Sequence, residues 1–170
     1  MTLATHMAIA AAVTKSFAQS HPILSFFAAL ATHYLSDAIP HWDYRLHAMQ
    51  DTRDKEKEKG LWDADDARRF RARIVRDIRT IALDGFLGAG VILIIARPAS
   101  MEQWLWVTTA IAGGALPDFL QGAYLAGARF LKPLQTLHDR MHTRIRLWDR
   151  PEIGIPSQLL IVIAAILFLI

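Results

Sequence analysis

The chain has 170 residues, 53% of them hydrophobic, and its mean hydropathy is +0.23. A water-soluble domain of this length would struggle to bury so much apolar surface, so the composition favours a membrane protein. The absence of cysteine excludes disulfide bonds and thiolate metal sites, and leaves histidine and carboxylate groups as the strong metal ligands. The net charge of +3 does not require a nucleic-acid partner, and we expect none, because basic loops also lie beside anionic lipid headgroups.

Five apolar segments predict an all-α fold, a polytopic integral membrane helical bundle. They cover residues 3–17, 22–39, 81–96, 104–126 and 155–170. The first two are short for a bilayer, which needs about 20 apolar residues per helix. The fourth is expected to break near Gly113, Gly114 and Pro117. The first segment lacks the basic start of a signal peptide, so we expect it to remain in the mature protein.

Charged residues are concentrated between the second and third apolar segments. Residues 45–80 predict a charged cytoplasmic loop and a surface helix within a single membrane-embedded domain of residues 1–170. The mixed-charge run at residues 51–59 is typical of a solvated, partly disordered loop. Residues 63–79 carry apolar side chains at helical spacing among arginines, which predicts an amphipathic helix on the membrane surface. A further helix is expected at residues 137–146.

The distribution of basic residues predicts the orientation. Seventeen of the nineteen lysines and arginines fall within residues 45–79 and 129–150, and the exceptions are Lys15 and Arg97. Basic loops stay on the cytoplasmic side, so five crossings place both stretches inside, and Lys15 and Arg97 outside. We therefore expect a multi-pass protein of the inner (cytoplasmic) membrane with a cytoplasmic N-terminus.

The most specific motif begins at His33. His33 and Asp37 are four residues apart on a predicted helix and so share one face, while Pro40 ends the helix and turns His41 and Asp43 towards the same point. This spacing favours a metal site. The alternative is that His33 caps helix carbonyls and Asp37 pairs with a basic residue.

Other candidate ligands reach the same depth when a helix rise of about 1.5 Å per residue is applied. His138 and His142 repeat the four-residue spacing of zinc-binding helices. Asp84 and Asp118 lie within apolar segments, where a carboxylate costs about 2.5 to 3.5 kcal/mol and needs a partner, either a metal or an arginine. His21 lies on the opposite side and His47 in the loop, so both are left out. The predicted metal ligands are His6, His33, Asp37, His41, Asp118, His138 and His142.

This set has more ligands than one tetrahedral ion can use, which predicts two ions bridged by a carboxylate such as that of Asp37. A pair of ions suits phosphoester hydrolysis, with Asp43 or Asp84 as the general base. Nitrogen and oxygen ligands are compatible with zinc, our first choice, and with manganese or iron, while magnesium is disfavoured. The expected substrate is a phospholipid or lipid-linked phosphate at the cytoplasmic interface. Arg140, Arg144 and Arg146 either hold its phosphate or only determine topology.

Four short stretches carry a family resemblance: Thr5-His6, the His33 to Asp37 helix, Leu116-Pro117-Asp118, and the His138 to His142 pair ending in Thr143. At these residues the chain resembles the LexA-binding, membrane-bound hydrolase-like family of small bacterial inner-membrane proteins. That family is similar to zinc-dependent phospholipase C and P1-type nucleases, soluble helical enzymes whose metal cluster includes a helix with the HxxxD spacing. The resemblance implies a metal-dependent phosphoesterase. The order of the motifs differs, since the HxxxD helix comes first here.

Two other functions are compatible with the same residues. In the first, a metal cluster joins the helices of a structural or regulatory membrane protein, and a coordination sphere without an open position would favour this role. In the second, the chain is an ion or proton carrier in which Asp84 and Asp118 line a path. That role predicts polar residues continuing to the outer side, and the sequence shows few.

Overall fold

Helices form most of the described chain, which confirms the all-α prediction. A computed structural model describes residues 1–17, 21–44, 46–48, 64–145 and 147–170. A short 3-10 helix, Arg129–Leu131, precedes the fifth α-helix. The six α-helices of the described residues are α1 (Leu3–Thr14), α2 (Pro22–Asp37), α3 (Ala64–Ala96), α4 (Met101–Leu125), α5 (Lys132–Met141) and α6 (Pro151–Leu169).

The short helix α1 occupies the centre of the bundle and contacts α2, α3, α4 and α6. It is apolar on all sides, which is typical of a helix enclosed by others. Its Leu3, Met7 and Ala11 belong to a core cluster with residues of α3, α4 and α6. The central position of α1 means that a side chain near its start, such as His6, is enclosed by the surrounding helices.

Glycines let neighbouring helices approach this centre closely. A methyl group at Gly113 of α4 would lie 2.6 Å from the carbonyl oxygen of Phe26 and 2.7 Å from Cβ of Ala29, both in α2. A methyl group at Gly88 of α3 would lie 2.5 Å from Cβ of Ala4. Both distances are shorter than van der Waals contact, so these helix pairs require glycine at the point of contact.

The helices alternate in direction, as expected for an up-and-down bundle. At one end, Lys15 Nζ donates to the carbonyl oxygens of Phe168 (3.1 Å) and Leu169 (2.7 Å) at the C-terminus of α6. At the same end, Trp106 Nε1 of α4 donates to the buried Thr14 Oγ1 at 3.1 Å. The start of α1 and the end of α2 lie at the other end of the bundle. The predicted ligands therefore lie at the end remote from Lys15.

Within the described residues, two helices are long and apolar enough to cross a membrane, fewer than the predicted five. They are Asp65–Ala96 and Pro151–Leu169, and only 11% and 22% of their apolar windows are buried within the bundle. These helices therefore turn most of their apolar surface outwards. The 12 residues of α1 would span about 18 Å at about 1.5 Å per residue, which is short of a hydrocarbon core of about 30 Å.

Two helices are longer than the sequence predicted. The expected surface helix at residues 63–79 and the third apolar segment are parts of one continuous helix, α3, of 33 residues, because no proline or glycine interrupts the chain between Ala64 and Thr80. Helix α4 also continues through Gly113, Gly114 and Pro117 without the expected break. The mixed-charge run at residues 51–59, residues 18–20, residue 45 and Arg146 lie outside the described residues.

Candidate metal centre

The carboxylate of Asp37 lies at the centre of a group of five histidines. Asp37 is in the last turn of α2 and is only 1% exposed. Each imidazole directs its Nε2 atom at this carboxylate. The distances from Nε2 to the Asp37 carboxylate oxygen are 3.0 Å for His6, 3.3 Å for His33, 3.7 Å for His41, 2.9 Å for His138 and 4.0 Å for His142.

Backbone hydrogen bonds bring the distant parts of the chain to this point. The N–H of Thr143 donates to the carbonyl oxygen of Asp37 at 2.7 Å, and the N–H of Leu147 donates to that of His41 at 3.3 Å. The segment that follows α5 therefore runs beside the segment that follows α2. Because His142 directly precedes Thr143, this pairing holds His142 beside His41, with their ring centroids 4.8 Å apart.

In several of these histidines, Nδ1 points away from Asp37 and donates a hydrogen bond. This bond fixes the orientation of the ring and its tautomer. His33 Nδ1 lies 2.8 Å from the carbonyl oxygen of Gly114, and His41 Nδ1 lies 2.7 Å from that of Ile39. His6 Nδ1 lies 2.9 Å from Ser36 Oγ, whose own proton is donated to the carbonyl oxygen of His33. Each Nδ1 must therefore carry hydrogen, and each neutral ring presents an Nε2 lone pair to the centre.

These lone pairs face a carboxylate, and two facing acceptors repel unless a proton or a cation lies between them. Burial lowers the pKa of His41 to about 3, so this ring is neutral at physiological pH. His41 Nε2 has no hydrogen-bond partner among the described residues. A divalent cation would accept the lone pairs and offset the negative charge of Asp37 and Asp118. The buried cluster around Asp37 could therefore hold a metal ion.

Three ligand atoms, from His33, Asp37 and His138, are spaced as a tetrahedral zinc site requires, and Asp118 lies farther out. Zinc bonds of 2.0 to 2.1 Å in a tetrahedron place ligand atoms about 3.3 Å apart. His33 Nε2 and His138 Nε2 are 3.5 Å apart and lie 3.3 and 2.9 Å from Asp37 Oδ2. They lie 3.8 and 3.9 Å from Asp118 Oδ1. These residues, from α2, α4 and α5, surround the Oδ2 side of the Asp37 carboxylate.

The other oxygen of Asp37 faces a second group. His6, His41 and His142 are directed at Oδ1, and the amino group of Met1 also lies 3.0 Å from this atom. The candidate ligand atoms of Asp37, His41 and His142 all lie within 4.8 Å of one another. The two oxygens of one carboxylate thus serve two sets of imidazoles.

The cluster is nearly closed to solvent, with one more open side. The side chains of His6, His33, Asp37, His41 and His138 are at most 4% exposed. Asp118 is 15% and His142 is 16% exposed. Access to the centre is therefore best between the middle of α4 and the end of α5.

All seven residues predicted as ligands converge here, whereas the two predicted as general base do not join them. The carboxylate of Asp43 accepts a hydrogen bond from the N–H of Tyr44 at 2.8 Å, and burial raises the pKa of Asp43 to about 7. The carboxylate of Asp84 accepts from the N–H of Ala4 at 3.0 Å. Asp84 thereby binds the first turn of α1, where backbone N–H groups lack partners within the helix.

Sequence reasoning missed Gln158, a polar residue in the apolar helix α6. When its amide is oriented to satisfy both ends, Nε2 donates to the carbonyl oxygen of Trp42 at 2.8 Å, and Oε1 accepts from the hydroxyl groups of Thr2 and Thr5. Gln158 therefore connects α6, the start of α1 and the loop that carries His41. An isolated amide in an otherwise apolar helix was the available signal.

The remaining candidates are not members of the cluster. His21 precedes α2 at the far end of the bundle and is exposed, and His47 is outside the groups that could hold a metal ion among the described residues. Arg140 and Arg144 are exposed, near the end of α5. Comparisons with protein-family models, curated proteins and solved structures gave no match, so the site must be interpreted from its own geometry.

Proposed function

We propose that this protein is a metal-dependent hydrolase of phosphoester bonds that acts on a lipid or lipid-linked substrate at a membrane interface. The observation that carries the proposal is the division of imidazoles between the two oxygens of Asp37. His33 and His138 face Oδ2, and His41 and His142 face Oδ1. A carboxylate that serves two imidazole sets suits a pair of bridged ions, with zinc as the expected metal and manganese or iron also compatible.

Bound divalent ions would supply Lewis acidity, both to activate water and to stabilise charge on phosphoryl oxygens. The protein would contribute the opening through which the substrate reaches the ions and a group that accepts the proton of the attacking water. Asp118 and His142, the most exposed members of the cluster, line the side that a phosphate could reach. We assign the general base to Asp43 because it lies two residues after His41 in the same loop, whereas Asp84 lies in α3 and its carboxylate binds the first turn of α1.

A membrane location is supported by α3 and α6, whose apolar surfaces face outwards. Basic residues follow α4 and fill the first half of α3, at the end of the bundle that carries the cluster. Under the positive-inside rule this end lies in the cytoplasm, which supports an inner-membrane protein with a cytoplasmic N-terminus. A substrate headgroup would then lie level with the cluster, and we assign the binding of its phosphate to the exposed Arg140 and Arg144.

The test is a hydrolysis assay on the full chain in detergent. Purified protein is stripped with chelator and reloaded with zinc or manganese. It is then given bis(4-nitrophenyl) phosphate and a phospholipid with a fluorescent headgroup. We expect hydrolysis that depends on the added metal and disappears in Asp37→Asn, while the matched variant His21→Asn behaves as wild type. Metal-loaded protein that hydrolyses neither compound, or activity that survives in Asp37→Asn, would overturn the proposal.

The near-complete burial of five of the seven ligands favours a second function, in which the metal joins the helices of a structural or regulatory membrane protein. Such a site fills its coordination sphere with protein atoms. X-ray absorption of the zinc-loaded protein separates the two functions. A sphere made only of protein nitrogen and oxygen supports the structural role, and an exchangeable water supports the hydrolase.

A further inference from the structure

Helix α5 carries a ligand of the cluster on one side and an apolar surface on another. His138 and Gln135 are buried against the bundle. Phe130 and the α5 residues Leu134, Leu137 and Met141 are between 36% and 80% exposed, and we call these four residues the outer apolar face. Their spacing of four, three and four residues places them along one side of the helix.

The polar residues of α5 lie opposite this face. Successive residues in an α-helix are rotated by about 100°, so Lys132, Thr136 and Asp139 point roughly away from Leu134 and Leu137. The buried side with His138 lies between the two. A helix with apolar, polar and bundle-facing sides in this order fits the plane of a membrane interface, with lipid below, water above and protein beside it.

Charge identifies the kind of surface that fits. Residues 129–145 contain Arg129, Lys132, Arg140 and Arg144 against the single acid Asp139. Their side chains are exposed at both ends of the helix and beside the outer apolar face. Basic residues around an apolar helix face are complementary to anionic headgroups above acyl chains, whereas a second copy of this segment would bring like charges together.

We propose that α5 is an in-plane anchor, whose outer apolar face inserts among the acyl chains of anionic phospholipids while its basic residues bind their phosphates. Because His138 lies on the same helix and His142 directly follows it, lipid binding would hold these two ligands against Asp37. The proposal does not depend on catalysis, since lipid would bind α5 in the same way if the metal had only a structural role.

The cysteine-free chain allows a direct test by depth measurement. Leu137→Cys and the neighbouring Thr136→Cys are labelled singly with a polarity-sensitive nitrobenzoxadiazole probe. Each full-length protein is reconstituted into phosphatidylcholine vesicles with or without phosphatidylglycerol. We expect the probe at residue 137 to be quenched by acyl-chain spin labels and protected from aqueous iodide, and the probe at residue 136 to show the reverse. Equal iodide quenching of both probes would overturn the proposal.

Two further outcomes are decisive. If the probe at residue 137 is shielded from both quenchers and the protein runs as a dimer, a second copy covers the face and the lipid proposal is wrong. The double variant Arg140→Gln with Arg144→Gln tests the charge, because each basic side chain near an anionic surface changes such an equilibrium roughly fivefold. We expect the double variant to show the same insertion of the residue 137 probe with and without phosphatidylglycerol. The control variant Arg97→Gln, at the far end of the bundle, should keep the wild-type dependence on this lipid. An unchanged lipid dependence would contradict the proposed headgroup contacts.

Discussion

The ring of His33 and the backbone of Gly114 are joined by a hydrogen bond of 2.8 Å between Nδ1 and the carbonyl oxygen, which links α2 to α4 beside the candidate metal ligands. Pro117, three residues after Gly114, has no N–H to donate to the carbonyl of Gly113. One backbone hydrogen bond of α4 is therefore missing at this turn. The orientation of His33 therefore depends on how closely α2 and α4 approach each other.

Gly113→Ala is expected to disturb both the helix pair and the site. The added methyl group would meet the carbonyl oxygen of Phe26 at 2.6 Å, so α2 and α4 must separate. We expect a lower thermal midpoint and weaker zinc binding, by circular dichroism and competition with a zinc indicator. Gly122→Ala in the same helix is the control, because nothing lies within 4 Å of its added methyl group. Equal behaviour of the two variants would contradict this packing.

The number of bound zinc ions should correspond to the two carboxylate oxygens of Asp37, with one ion beside each oxygen. We expect two zinc ions per wild-type chain by elemental analysis after removal of excess metal. His142→Asn is expected to keep one ion, since His33, His138, Asp118 and Asp37 Oδ2 remain. Asp37→Asn is expected to keep neither, because both groups lose their shared carboxylate. His47→Asn should match wild type, and a wild-type content of one ion would refute the bridged pair.

Asp84 should affect stability and leave metal content unchanged. Removal of a side chain that accepts from a helix N-terminal N–H costs about 0.5 to 2 kcal/mol. Asp84→Ala is therefore expected to lower the free energy of unfolding by that amount, whereas Asp84→Asn, which still offers an oxygen to Ala4, should lose less. Loss of zinc from both variants would instead make Asp84 a ligand.

Asp43 should affect turnover and leave metal content unchanged. If the proposed hydrolase uses Asp43 as general base, Asp43→Asn is expected to lower the rate about 10²- to 10⁴-fold with zinc still bound. Asp84→Asn is the matched carboxylate control and should retain the rate of wild type. Undiminished hydrolysis by Asp43→Asn would exclude this role.

Gln158→Leu should weaken the bundle at the site end. The substitution leaves the carbonyl oxygen of Trp42 and the hydroxyl groups of Thr2 and Thr5 without their amide partner. An unsatisfied buried polar group costs about 1 to 3 kcal/mol, which we expect to see in thermal unfolding. Ser157→Ala, one residue earlier in the same helix, removes only a local bond to the carbonyl of Gly154 and is the control.

The composition of the cluster could be predicted because its signals are local or follow from depth. The four-residue spacing of His33 and Asp37 puts both on one side of α2, and the same spacing marks His138 and His142. Asp118 was identifiable as a carboxylate in an apolar segment. His6 could be placed at the depth of the other candidates from its distance to the start of the first helix alone. Each of these inferences uses helix geometry, which holds at His6, His33 and Asp37, whereas α5 ends at Met141 and His142 is its extended C-cap rather than part of the helix expected at residues 137–146.

The remaining features depend on contacts between elements that are far apart in sequence. The change from charged to apolar residues near Thr80 resembled a helix boundary, yet backbone hydrogen bonding continues regardless of the environment outside the helix, so α3 is unbroken. The roles of Asp84 and Gln158 became visible only when the start of α1 was placed between α3 and α6. The shortness of α1 and α2 was already visible in the sequence, whereas the central position of α1 depends on its contacts with α2, α3, α4 and α6.

The ligands of the cluster are spread from His6 to His142, and this order has a consequence for biosynthesis. The chain must be synthesised as far as His142 before the imidazoles of His138 and His142 can meet those of α1 and α2. Fragments that end before α5 would contain His6, His33 and Asp37 yet lack both partners from the later part of the chain. Assembly of the cluster would thus follow the synthesis of α5 and could not precede it.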